Sequence, residues 1–135
     1  MIELKKRLEQ NGIKPSFVRL KVYEYLIANK THPTADEVYN KLIGQIPTLS
    51  KTSVYNTLNL FVEKNLAQLI TIEDNVARYD ADISVHGHFQ CNMCGKVYDF
   101  MVDAGTINSN LPDDFEVKQI SVYYKGICPY CKNKN

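Results

Sequence analysis

The stretch "SKTSVYNTLNLFVEKNLAQLITIEDNVARYDADI", residues 50–83, changes its hydrophobic period half-way along. As far as Lys64 the apolar residues Val54, Leu58, Phe61 and Val62 recur at three- and four-residue spacing, one buried face of a helix. Ser50 stands where that helix begins and can cap it. Beyond Lys64, "LAQLITIED" and "VARYDADI" lean towards β-structure and are joined across Glu73, Asp74 and Asn75, which predicts an antiparallel hairpin. A helix running straight into a two-stranded hairpin is the second half of a winged helix.

The first half should lie upstream, and the pattern there is helical. Residues 2–10 read as a short charged helix closed near Gly12. From Phe17 to about Ala28, Val18, Val22, Tyr25 and Leu26 form a buried stripe. In "HPTADEVYNKLI", Thr34 and Glu37 make a capping box, with Ala35, Val38, Tyr39 and Leu42 as the inner face. The outer side of the last helix presents Lys51, Thr52, Ser53, Tyr55, Asn56 and Asn59. These residues can contact phosphates through hydroxyl or ammonium groups, or base edges through an amide. An ordinary solvated helix face has the same composition, so the order of elements must carry the DNA reading.

Charge agrees with it. The net charge of +1 divides into ten Lys/Arg against six Asp/Glu in residues 1–70, and six against nine thereafter. The front half is therefore the one suited to an anionic partner. No apolar run reaches the length of a membrane span, and "MIELKKRLEQ" does not resemble a signal peptide, so a soluble cytoplasmic protein is expected.

Residues 84–135 read as a second, small α/β unit after a short hinge at 80–84, giving an α+β chain with domains at 1–80 and 84–135. "FQ", "KVYDF" and "FEVKQISVYYKGI" are its strand candidates, and "VDAGTINSNL" its one weak helix. Cys91, Cys94, Cys128 and Cys131 occur as two C-x-x-C pairs, the full complement for a structural zinc. Redox-active dithiols are the alternative reading. Four thiolates saturate one ion, so His86 and His88 are left over. Two apart in a strand, they point to one face and supply half of a separate site. Asp80, Asp82, Asp99 and His32 are the other candidate donors. Such nitrogen and oxygen ligands suit Mn(II) or Fe(II) at least as well as zinc.

Taken together, "HPTADEVY", "SKTSVYNTLNLFVEKNL", "RYD", "HGHFQCNMCGKVYDF" and "YYKGICPYC" resemble the ferric-uptake-regulator family of metal-dependent repressors, and most closely its peroxide-sensing branch. The resemblance covers essentially the whole chain. It implies a regulatory Fe(II) or Mn(II) site on His32, Asp80, His86, His88 and Asp99, with Asp82 left out, and zinc on the four cysteines. It implies a homodimer, paired through residues 115–125, on pseudo-palindromic double-stranded operator DNA. Hydrogen peroxide would release it through oxidation of His32 or His86. Asp99, where metal-uptake sensors usually carry glutamate, and the lack of any histidine after His88 favour the peroxide branch. Where relatives read "TPQR" this chain has "KPSFVR", so Arg19 would keep a phosphate-facing role while the Lys14 to Phe17 region docks differently. Rival readings are a metal-uptake repressor without peroxide chemistry, a His/Asp zinc metalloenzyme, and a zinc-stapled interaction module.

Overall fold

A computed structural model describes residues 1–29, 31–73, 76–84, 86–103, 107–117 and 120–133. The chain divides into two compact units, Met1–Ile83 and Ser84–Asn135.

The first unit is winged-helix-like: α1 (Ile2–Gln10), α2 (Phe17–Ala28), α3 (Ala35–Leu42), α4 (Lys51–Glu63), then the hairpin β1 (Gln68–Glu73) and β2 (Val76–Asp80). Three helices start on side-chain caps. Ser16 Oγ accepts from Arg19 N at 3.2 Å, Thr34 Oγ1 from Glu37 N at 3.2 Å, and Ser50 Oγ from Ser53 N at 3.0 Å. Each such cap stabilises its helix by about 1 kcal/mol. The Thr34 box closes differently from the usual one, because the Thr34 hydroxyl donates to Glu37 Oε1 at 3.2 Å. Two helices end alike. Gly12 (φ 74°) and Asn65 (φ 61°) turn left-handed, so that Ile13 N reaches Leu8 O (2.9 Å) and Leu66 N reaches Phe61 O (2.8 Å).

Val22, Leu26, Val38, Leu42, Val54, Leu58 and Phe61 are buried at the centre of this unit, whereas Val18, Tyr25, Ala35, Tyr39 and Val62 are only partly covered. Tyr23, outside the expected stripe, is buried and meets Phe61 edge-on at 5.8 Å. The hairpin pairs Gln68 with Asp80, Leu69 with Tyr79 and Ile70 with Arg78. Of its expected turn residues, Asp74 and Asn75 lie outside the described residues. β2 also bridges the entry to α3, pairing Arg78 with Thr34, and Tyr79 N donates to Pro33 O at 2.9 Å.

The second unit is a three-stranded sheet in the order β4 (Val97–Met101), β3 (His86–Cys91), β5 (Val122–Gly126), followed by the single turn α5 (Pro129–Lys132). β4 runs antiparallel to β3 and β5 parallel to it. The parallel register, from Gly87 opposite Val122 to Cys91 opposite Gly126, carries Cys128 back beside the first cysteine pair. The strand expected over residues 115–127 is confined to Val122–Gly126; residues 115–117 are not in a strand, and 118–119 lie outside the described residues. No helix forms at 102–103 or 107–111, and 104–106 lie outside the described residues. Its Gly, Asn and Ser residues are weak helix formers and supply no apolar stripe to dock one.

Gly87 fixes how β4 lies on β3. A Cβ there would come 2.1 Å from Phe100 Cζ, and the Phe100 ring is stacked on Tyr124 at 4.9 Å. Gly87→Ala must push that ring off its stacking partner. It is expected to destabilise the protein by about 1–3 kcal/mol, measured by urea unfolding. Among the described residues, no helix is long and apolar enough to cross a membrane.

Candidate metal centres

Among the described residues, the buried hydrophobic centre of the second unit is sulfur rather than hydrocarbon. Cys91, Cys128 and Cys131 form it, with Phe89 and Tyr98 packed against them. Their thiol sulfurs and that of Cys94 all lie within 4.8 Å of one another. Cys94 Sγ and Cys128 Sγ are 3.9 Å apart, and all four cysteines are free thiols. Sulfurs about 2.3 Å from a tetrahedral ion stand about 3.8 Å from each other, so the cluster has the dimensions of a closed tetrathiolate site.

Local structure aims these sulfurs. After β3 the chain turns tightly, with Gly95 left-handed at φ 76° and its N–H on Cys91 O at 2.9 Å. That turn brings Cys94 N to 3.5 Å from Cys91 Sγ, and Cys128 N approaches the same sulfur at 3.4 Å. The N–H groups of Cys128 and Cys94 bring the Cys91 thiol down to about 6. Burial pushes the Cys131 thiol up to about 12. Cys128 is lowered, first by the Cys131 N–H and then by the Tyr98 hydroxyl; that hydrogen bond is also the main reason Tyr98 is raised to about 12. Some thiols are thus prepared to ionise and another resists. A buried tetrathiolate is stable only with a dication to neutralise it.

The nitrogen and oxygen donors fall into one group in each unit. In Met1–Ile83, His32 Nε2 lies 3.5 Å from Asp80 Oδ2, both side chains almost completely buried. Asp80 Oδ1 accepts from Asp82 N at 2.9 Å, and Asp82 itself is exposed. His32 is left-handed (φ 58°), a conformation costing an L-residue roughly 1–2 kcal/mol. In Ser84–Asn135, the His86 and His88 rings sit 4.5 Å apart on β3. Both face Asp99 Oδ1 on β4, at 3.8 Å from His86 Nε2 and 3.4 Å from His88 Nε2. His88 and Asp99 are direct cross-strand partners. The Ser84 carbonyl lies 2.8 Å from His86 Nδ1. A carbonyl only accepts, so Nδ1 carries a proton, which leaves Nε2, the nitrogen facing Asp99, as the one available to a metal.

These separations matter. Direct charge-assisted N–H···O contacts run about 2.7–2.9 Å, whereas donors about 2.1 Å from a shared ion stand about 3.0–3.4 Å apart. The observed 3.4–3.8 Å separations lie nearer the second arrangement.

The polar face of α4 is exposed at Lys51, Thr52, Tyr55, Asn56 and Asn59, with Ser53 half-buried. Two of its residues have partners invisible in the sequence. Lys51 Nζ reaches Asp36 at 3.8 Å, and Asn59 Oδ1 accepts from the Tyr79 hydroxyl at 3.2 Å. Arg19 Nη1 donates to Lys14 O at 2.7 Å, so its guanidinium braces the loop that leads into α2.

A family model described as the ferric uptake regulator family matches residues 10–125. The peroxide-responsive repressor PerR of Staphylococcus aureus (strain Mu50) is 33% identical over 130 residues, covering 94% of this chain and 88% of its own. The solved structure of the Helicobacter pylori ferric uptake regulator Fur is similar with a TM-score of 0.73 at 22% identity, over 96% of this chain and 89% of that one. PerR from Streptococcus pyogenes is similar with a TM-score of 0.55 at 28% identity, over 96% and 90%. The metalloenzyme and interaction-module readings fall with these matches. The chain belongs to the ferric uptake regulator family, has relatives in its peroxide-responsive branch, and is a DNA-binding, metal-binding transcriptional regulator rather than an enzyme.

Proposed function

We propose that this protein is a cytoplasmic, homodimeric repressor that holds operator DNA while Fe(II) or Mn(II) is bound, and lets go when hydrogen peroxide oxidises a ligand histidine. The observation that carries the reading is the sulfur-free donor set: His32 with Asp80 in one unit, His86 and His88 facing Asp99 in the other. One ion drawing on both groups would tie the units together and so set where α4 is held. Zn(II) on Cys91, Cys94, Cys128 and Cys131 would be the permanent staple of the second unit.

In this reading α4 enters the major groove, with Tyr55, Asn56 and Asn59 towards base edges and Lys51, Thr52 and Ser53 towards phosphates. Arg19 and Lys14 lie at the start of α2, where a second phosphate contact is available. The hairpin is the wing. Ser84–Asn135 carries the dimer contact, which matches two-fold protein to two-fold operator.

Fe(II) held by these residues would activate the O–O bond of hydrogen peroxide, with the peroxide as the net two-electron oxidant and a ligand imidazole as the reductant. His32 and His86 are the rings expected to take the oxygen. The net change is a ring C–H converted to C=O with proton shift, the second peroxide oxygen leaving as water. An oxidised ring is a poor σ-donor, so His32 or His86 would cease to hold the ion and the units would uncouple.

Mass spectrometry after brief peroxide treatment of the Fe(II)-loaded protein tests this. One added oxygen on His32 or His86, absent from the Mn(II)-loaded control and accompanied by loss of operator binding, is the expected result. Unmodified histidines with operator binding intact would remove the peroxide step and leave a metal-responsive repressor.

A further inference from the structure

His32 is held in an unfavourable backbone conformation. Among the described residues only His32 and Asn65 have positive φ without being glycine. Asparagine visits that region readily, and Asn65 does so at an ordinary helix end. His32 does it directly before Pro33, where the proline ring biases the preceding residue towards extended structure. Something must therefore hold it there.

The hold comes from the wing. Arg78 Nη1 donates to His32 O at 3.1 Å, and the next residue, Tyr79, donates its N–H to Pro33 O at 2.9 Å. Thr34 then bridges to Arg78. Three successive loop residues are thus gripped by two successive residues of β2. Arg78 is itself steadied by Glu37 Oε1 at 3.7 Å, the same carboxylate oxygen that the Thr34 hydroxyl engages. Arg78 and Asp80 are two apart in the strand and so share a face. One short strand carries Asp80 as a donor and, through Arg78, sets the backbone of His32, whose Nε2 faces Asp80 at 3.5 Å.

We infer that Arg78 is a positioning residue: its guanidinium locks His32 in the left-handed conformation that presents the imidazole to the regulatory metal. The inference rests on the reading of His32 and Asp80 as metal donors. It gives the wing strand a second duty beside its place near DNA, because a shift of β2 would disturb two donors at once.

The test uses the full-length, zinc-loaded protein with Arg78→Met, which keeps the apolar stem and loses the donor, and Arg78→Lys, which keeps a donor. Without Fe or Mn, the NMR backbone signature of His32 is expected to be left-handed in the wild type, lost in Arg78→Met and largely recovered in Arg78→Lys. Titration with Mn(II) is expected to show roughly ten- to a hundred-fold weaker binding for Arg78→Met, the effect typical of losing an outer partner of a ligand. Arg78→Lys should regain most of it. Thermal melting and zinc content, unchanged in Arg78→Lys, separate positioning from failure to fold. A left-handed His32 in Arg78→Met, or Mn(II) binding as tight as wild type, would overturn the inference. Should His32→Ala bind Mn(II) as wild type does, the donor assignment itself fails, while the NMR arm still decides whether Arg78 holds the loop.

Discussion

Cys94→Ser is expected to strip the protein of zinc and unfold Ser84–Asn135, while Met1–Ile83 stays folded. Cys94 makes this diagnostic because its side chain is exposed, unlike those of Cys91, Cys128 and Cys131. A serine for an exposed cysteine normally changes stability by no more than about 0.5 kcal/mol. If the thiol is one of four zinc ligands, the loss is of another order. Structural zinc contributes apparent binding free energies of about 10–16 kcal/mol, against total domain stabilities of about 5–15 kcal/mol. Among the described residues, the second unit's buried hydrophobic centre is three cysteines with Phe89 and Tyr98 beside them, which leaves little to offset that loss. Metal analysis should show zinc lost. Hydrogen exchange should show protection lost across β3, β4 and β5 but kept in α2, α3 and α4, where Val22, Val38, Val54, Leu58 and Phe61 are fully buried. A zinc-bound variant with protected β3 would sink the staple.

The parts of this fold that are readable from sequence are those decided within a few residues. Thr34 and Ser50 announce their helices because a cap acts three residues ahead. The spacing of Val54, Leu58 and Phe61 is equally local. Two C-x-x-C pairs announce a candidate metal cluster, and the four sulfurs do come together. β3 was harder to delimit. His86, Gly87 and His88 are buried in succession, so the central strand lacks the in–out alternation by which half-buried strands are recognised. Among the described residues, the long strand expected over 115–127 is five residues, because period alone cannot say how far a partner strand extends. Among the described residues, β3 supplies partners only for Val122–Gly126.

Contacts that cross tens of residues leave no local mark. Nothing around Arg78 indicates that its guanidinium serves the carbonyl of His32. The same holds for Asn59, which is a polar residue on an exposed helix face in sequence but an acceptor for the buried Tyr79 in the fold. These long-range bonds join the histidine loop, the wing and α4.

Asp99→Ala is expected to leave a folded, zinc-containing protein that no longer couples metal to operator. The Asp99 side chain is more than a third exposed, so removing it should disturb packing little, with a change in stability within about 0.5 kcal/mol. Its carboxylate nevertheless faces both His86 and His88, and no neighbouring side chain of β4 offers a substitute, Tyr98 and Phe100 flanking it on the strand. Mn(II) affinity should fall by at least the roughly ten- to a hundred-fold seen when a mere outer partner of a ligand is removed. The operator readout follows from linkage. If Mn(II) tightens DNA binding by some factor, operator must tighten Mn(II) binding by the same factor, commonly about 5- to 150-fold. Fluorescence anisotropy with labelled operator, at graded Mn(II), measures that factor from both sides. Wild type should show equal enhancement in the two directions. Asp99→Ala should show neither at Mn(II) concentrations that saturate the wild type, while its zinc content and melting temperature stay put. Coupling of wild-type size in the variant would mean that the ion is held by the histidines and Asp80 without Asp99, and that the donor set facing β4 is not the switch.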